Sequence, residues 1–148
     1  MVKNKLYDDV TKVNNEEYSV ILPEDYLILL GDKVGIQPID GSDMKCWDKD
    51  DNGYIIKYGD TIESTVETID RQLQNPLSEH NLKYAYARPL KLVQNDSVFL
   101  YTDGKYKVSK YSLNYLRKPI YIDLHTNPMS EYDDMPEHTH SEIVKLAA

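Results

Sequence analysis

Short apolar runs in the first part of the chain predict β-strands. Residues 18–22 (YSVIL) form the first run and residues 26–30 (YLILL) the second. The turn residues 31–32 (GD) end the second run, although the alternation over residues 34–36 (VGI) would also allow that strand to continue. Residues 54–58 (YIIKY) make a third run. The pattern therefore predicts at least three strands before the middle of the chain.

A spacing of three to four residues then predicts one helix. The apolar positions that fall on its single face are Ile62, Val66, Ile69 and Leu73. Asp60 stands at the N-cap position, and Glu63 follows three residues later, as in a capping box. Pro76 cannot continue the hydrogen-bonding ladder, so we expect the helix to end at Asn75.

The second half returns to a period of two residues. Residues 98–101 and residues 106–108 flank Asp103-Gly104, a pair that supplies the positive φ of a hairpin turn. The apolar phase changes near Lys110, which indicates a bulge or a bend. We expect a last strand at residues 120–124.

Together these elements predict an α+β fold. Its mostly antiparallel sheets form a β-sandwich or a small barrel, with one crossing helix and a C-terminal helix. We expect one β-rich domain over residues 1–148, with a docking helix at approximately residues 136–148. Ile143, Val144 and Leu146 give that helix an apolar stripe. A helix of about 13 residues is marginal unless it packs on a partner surface.

Composition and charge narrow the class of protein. No apolar run approaches the ~20 residues that span a bilayer, and the single Cys46 fits a reducing compartment. We therefore expect a soluble protein that is made in the cytoplasm. The net charge of −8 disfavours sequence-specific binding to phosphates. The chain holds 13 tyrosines against one phenylalanine, which suits contact surfaces and β-rich cores equally.

One acidic segment resembles the start of a calcium loop. Asp48, Asp50 and Asn52 occupy the first three ligand positions, and Gly53 occupies the sixth. The twelfth position is Gly59 instead of the bidentate glutamate that completes the site. A polar hairpin tip is therefore the preferred interpretation, and a calcium-dependent binding module is the alternative function.

Other candidate chemistry is sparse. His138 and His140 are two residues apart and would diverge on a helix, so a hydrated first turn explains them better than a metal site does. Cys46 has no neighbour in sequence that would activate its thiol. No nucleophile elbow, phosphate-binding loop or dinucleotide motif is present in the sequence. We predict no catalytic residues and no cofactor, and an enzyme is the least favoured class.

Three stretches in order resemble a known family. They are residues 22–30 (LPEDYLILL), residues 113–122 (LNYLRKPIYI) and residues 135–147 (MPEHTHSEIVKLA). This order is similar to that of the ring and adaptor proteins in the head–tail connectors of crAss-like and related short-tailed bacteriophages. The resemblance covers about residues 18–148.

The resemblance implies a structural, non-enzymatic role. Such proteins form homo-oligomeric rings, typically dodecamers, that stack between the portal and neighbouring tail ring proteins. DNA would pass through the lumen without sequence-specific binding. The expected location is the connector or tail of a virion assembled in the bacterial cytoplasm, with no membrane partner.

A mixed aromatic and basic cluster provides candidate interface residues. They are Tyr115, Arg117, Lys118 and Tyr121. Aromatic and arginine side chains are enriched at protein interfaces. The alternative is an edge strand that the basic residues keep soluble and that Pro119 protects from pairing.

Overall fold

Alternating apolar residues build two antiparallel sheets that pack face to face. The computed structural model describes residues 2–39, 47–84, 86–119 and 137–147. The strands are β1 (Val2–Tyr7), β2 (Thr11–Lys12), β3 (Glu17–Ile21), β4 (Tyr26–Pro38), β5 (Lys49–Asp50), β6 (Gly53–Tyr54), β7 (Lys57–Gly59), β8 (Ile62–Glu63), β9 (Leu90–Gln94), β10 (Ser97–Tyr101) and β11 (Tyr106–Arg117). The first sheet has the order β1-β11-β4-β7 and the second the order β2-β3-β10-β9-β8, while β5 and β6 form a separate hairpin. All pairs are antiparallel except β8 with β9.

The main core lies between the two sheets. Val20 of β3 and Leu100 of β10 face it from the second sheet, and Val34 of β4 and Leu113 of β11 face it from the first. These side chains are almost completely buried. The predicted α+β sandwich is therefore confirmed, and the sheets do not close into a barrel. The helices are α1 (Ile69–Gln74) and α2 (Glu137–Ala147). Within the described ranges, neither helix is long and apolar enough to cross a bilayer.

The second apolar run continues as one long strand. β4 spans 13 residues and passes through Gly31 and Asp32, where the run was predicted to end. Glycine and aspartate stop strands only when the chain must turn there. Here β11 pairs with β4 from Tyr26 to Pro38, so the pairing partner keeps the segment extended. The prediction of strand ends at residues 31–32 is wrong, and the alternative of a continuing strand is right.

The predicted helix over residues 62–73 is only half correct. Ile62 and Glu63 form β8, which pairs in parallel with β9. The helix begins at Ile69, and its N-cap is Thr68 instead of Asp60. Asp60 is separated from the start of the helix by β8, so it cannot cap it, and its carboxylate instead binds Arg88, with Nε 2.9 Å from Oδ1. The helix ends before Asn75, as expected.

The strands around Asp103-Gly104 do not form a hairpin. β10 pairs with β3 and β9 in the second sheet, whereas β11 pairs with β1 and β4 in the first. Gly104 does take a positive φ of +84°, but the chain there crosses from one sheet to the other. The hairpin in this region instead joins β9 to β10 through Asn95, whose φ is +54°. A period of two identifies strands without identifying their partners.

Two further predictions are resolved by the strand pairing. The phase change near Lys110 is a register shift between Val108 and Lys110 within β11, so the predicted bulge is confirmed. The apolar run at residues 54–58 is divided between β6 and β7. The strand expected at residues 120–124 lies outside the described residues.

Candidate functional site

Residues 48–53, the calcium-loop candidate, form a tight hairpin. β5 pairs with β6 and leaves only two residues for the turn. The Asn52 backbone N–H donates to Asp50 Oδ1 at 2.8 Å, and Gly53 has a φ of +116°. An EF-hand loop requires twelve residues between two helices, whereas strands flank this turn. Asp48 lies at the base, where its carbonyl accepts a hydrogen bond from the Ile55 backbone N–H at 3.0 Å. The hairpin-tip interpretation therefore describes the segment.

The histidine pair gives no further evidence of a metal centre. His138 and His140 lie in the first turn of α2, and their side chains are outside the described part of the structure. Among the side chains that are described, no group of three or more His, Cys, Asp or Glu could hold a metal ion.

The structure describes three of the four predicted interface residues, Tyr115, Arg117 and Lys118. Tyr115 is buried in the core, and its hydroxyl donates to Asp25 Oδ1 at 2.9 Å, so it is not an exposed contact residue. The interface prediction is corrected at this position. Arg117 is half-buried, Lys118 is exposed, and Tyr121 lies outside the described residues. The edge-strand alternative is also wrong, because β11 lies between β1 and β4.

A groove opens between the two sheets beside the first half of β4, and we call it the β4 groove. β7 pairs only with residues 34–36 of β4, so the preceding part of β4 has an open edge among the described strands. The groove encloses about 320 Å³. Its charged lining residues are Glu63 of β8 and Lys91 of β9. Its apolar lining consists of Tyr26, Ile28, Leu29, Leu30 and Val93.

Two irregularities in β4 expose the apolar side chains of the groove. The register between β4 and β11 shifts near Leu27 and again near Leu30. Bulges of this kind interrupt the strict alternation of buried and exposed positions and redirect side chains. Ile28 is 53% exposed and Leu30 is 55% exposed, and Leu27 is exposed as well. Three neighbouring large aliphatic residues on a surface form a patch typical of contact sites.

A buried ion pair fixes the floor of the β4 groove. Lys91 Nζ lies 3.3 Å from Asp32 Oδ2, and the side chains are only 9% and 6% exposed. The same oxygen accepts hydrogen bonds from Thr61 Oγ1 at 2.7 Å and from Tyr111 Oη at 2.8 Å. Burial, with the Asp32 carboxylate close by, raises the pKa of Tyr111 above its ordinary value. The hydroxyl therefore stays protonated and serves as a donor.

The α2 helix presents a second apolar surface. Every side chain from Ser141 to Ala147 is exposed. Ile143 is 42% exposed, Val144 69% and Leu146 87%, so the predicted stripe exists and is not covered by the described part of the chain. Lys145 lies in the last turn, where a cation interacts favourably with the helix dipole.

Sequence reasoning missed the β4 groove, although one signal for it was present. Residues 26–30 are five consecutive apolar residues, while a strand with one buried face needs only alternate ones. The excess predicts that some of these side chains are exposed. Lys91 and Asp32 carried no such signal, since only the tertiary structure brings together residues that are so far apart in sequence.

No known protein-family model matches the chain, and no curated protein sequence matches it significantly.

Proposed function

We propose that this chain is a structural subunit of a ring in the head–tail connector of a bacteriophage. In this proposal it oligomerises around the DNA channel, between the portal and the neighbouring tail ring proteins, and has no catalytic role. Its location would be the virion.

One observation carries the proposal. The first two of the three stretches that resemble connector proteins pair with each other in the first sheet, with Ile28 opposite Leu116 and Leu29 opposite Tyr115. The first stretch also forms a wall of the β4 groove. The third stretch contains α2 with its exposed apolar residues. The first and third of these stretches therefore contain exposed apolar residues, which supports a role in subunit contacts.

The charge of the chain is compatible with a DNA channel. A net charge of −8 repels phosphates, so a wall made of such subunits would not retain the DNA that moves past it. Two different surfaces, the β4 groove and α2, also suit a head-to-tail contact, and such contacts form a ring when the rotation between successive copies closes.

Assembly of the purified full-length chain tests the proposal. We expect light scattering and electron microscopy to find closed rings of uniform size, close to twelve times the 17.2 kDa chain mass, alone or with the portal protein. Calcium and chelator should leave the rings unchanged. A chain that stays monomeric with portal and tail proteins present would contradict the proposal, and calcium-dependent folding would favour the alternative module.

A further inference from the structure

The α2 helix needs a partner surface. It has 11 residues, and helices of this length are marginal in water without tertiary packing. Its apolar residues Ile143, Val144 and Leu146 are exposed, so the described part of the same chain does not provide that packing. The described part of the chain therefore leaves the apolar residues of α2 open to a partner surface.

The β4 groove, which encloses about 320 Å³, can receive the apolar side chains of an amphipathic helix. Helix-in-groove recognition places residues at spacings of three and four into an apolar cleft. Ile143 and Leu146 have this spacing on α2. The groove offers Ile28, Leu30 and Val93 as its apolar walls. Within the described ranges both surfaces are open, so α2 does not lie in the groove of its own chain.

Charge complementarity selects the orientation of the helix. Glu63 lies at the rim of the β4 groove on an exposed position, and no ion pair joins it to another side chain in the described ranges. The Lys91 side chain is buried and its charge is compensated by Asp32, so Glu63 is the exposed charge of the groove lining. The exposed Lys145 on α2 is next to Leu146, and its positive charge is opposite to that of Glu63.

We propose that α2 of one copy lies in the β4 groove of a neighbouring copy, with Lys145 beside Glu63. This inference rests on the proposed function, because it names the contact that joins successive ring subunits. Each copy gives one helix and receives another, so the contact is heterologous and repeats around an axis. The occupant of the groove is therefore a second copy of this chain.

Charge reversal tests the pairing. We expect Glu63→Lys and Lys145→Glu each to weaken self-association about fivefold in sedimentation equilibrium, and the double variant to restore it. The matched control is Glu67→Lys, which changes an exposed glutamate outside the groove and should have no effect. Equal losses in the single and double variants would overturn the assigned orientation.

Apolar substitutions test the groove itself. Leu30→Asp and Leu146→Asp should each weaken association more than about tenfold, since both place a charge in the contact centre. Leu77→Asp is the control, because Leu77 is exposed and distant in sequence from the groove lining. If Leu30→Asp assembles like the wild type, the groove is not the docking site.

Disulfide trapping distinguishes a second copy from the same copy. In a Cys46→Ser background, a chain with Leu30→Cys is mixed with a differently tagged chain with Leu146→Cys. We expect a disulfide between the two tags upon oxidation. A chain with both cysteines that cross-links only within itself would overturn the inference.

The two proposals fail in different ways. If all groove variants form rings normally, the proposed α2 contact is contradicted and the connector proposal is not affected. Groove-dependent oligomers that never close into rings would support the α2 contact and contradict the connector proposal. A wild-type chain that does not associate at any concentration, with or without portal protein, would contradict both.

Discussion

At the scale of single residues, the tyrosine content reflects hydrogen bonding inside the core. The Tyr106 hydroxyl donates to the His80 carbonyl at 2.7 Å. Tyr111 and Tyr115 donate to Asp32 and Asp25, respectively. These bonds join the strand β11 to three different segments, and phenylalanine could not make them. The sequence left open whether the tyrosines served contact surfaces or a β-rich core, and these three belong to the core.

Removal of single hydroxyls should distinguish buried tyrosines whose hydroxyl donates a hydrogen bond from a buried tyrosine whose hydroxyl has no partner among the described residues. We expect Tyr111→Phe, which removes a donor to a buried carboxylate, to lower the free energy of unfolding by about 1.5–3 kcal/mol. Tyr106→Phe should cost about 1 kcal/mol, because its acceptor is a neutral carbonyl. The Tyr18 hydroxyl is buried without a partner among the described residues, so Tyr18→Phe should be neutral or stabilising.

Urea unfolding of the three variants provides the measurement, with an unchanged m-value as the check on two-state behaviour. A loss for Tyr18→Phe as large as that for Tyr111→Phe would contradict the assigned hydrogen bonding.

At the scale of elements, strands could be predicted well and their partners poorly. The alternation of apolar residues located β3, β10 and β11 and even the bulge near Lys110, because that pattern is local. The same pattern could not show that β10 and β11 belong to opposite sheets, since pairing depends on tertiary contacts. Apolar residues at helical spacing also overestimated α1, because Ile62 is recruited as a strand by β9.

The long strand β4 contains two glycines that differ in how closely other atoms approach them, so alanine substitutions at the two positions can be compared. A Cβ atom at Gly35 would lie 2.8 Å from Ile56 Cγ2 and 3.2 Å from Lys110 Cβ, so Gly35→Ala should destabilise the fold by about 1–3 kcal/mol. A Cβ atom at Gly31 would meet nothing within 4 Å. We therefore expect Gly31→Ala to be neutral or slightly stabilising.

The thermal unfolding midpoints of the two glycine variants provide the comparison. Equal changes in the midpoint at both positions would contradict the steric explanation. They would show that the lost conformational freedom of glycine, and not the contact with Ile56, determines the change in stability.

At the scale of the whole molecule, the sandwich followed from composition and alternation, but the candidate site did not. The exposed stripe of α2 could be predicted, because amphipathicity is a local property. The β4 groove could not be predicted, because it depends on two register shifts and on the pairing of β7 with only three residues of β4. The burial of Tyr115, which was predicted as an interface residue, could not be predicted for the same reason, since burial is decided by the sheet order.

One buried histidine couples the whole fold to pH. His80 follows α1 and is almost completely buried, and its Nδ1 atom has no hydrogen-bond partner in the described part of the chain. Burial lowers the pKa of His80 below its ordinary value of 6.5, against the opposing effects of Asp103, Glu16 and the Leu73 carbonyl. The imidazole is therefore neutral in the folded protein at pH 7 and gains a proton more readily in the unfolded chain.

The sign of the pH dependence follows from this difference. The unfolded state binds the proton first as the pH falls, so the contribution of His80 to stability is full above pH 6.5 and is lost below it, until the folded-state pKa is reached. For a single proton, the free energy of unfolding cannot change by more than about 1.4 kcal/mol per pH unit. We expect the urea concentration at the unfolding midpoint to decrease as the pH is lowered from 7 to 5. The His80→Gln variant should show a weaker pH dependence and a lower stability at pH 7. The Tyr106 hydroxyl binds the backbone carbonyl of His80, so this anchor should survive the substitution. An unchanged pH profile in His80→Gln would show that other groups control the acid sensitivity of the fold.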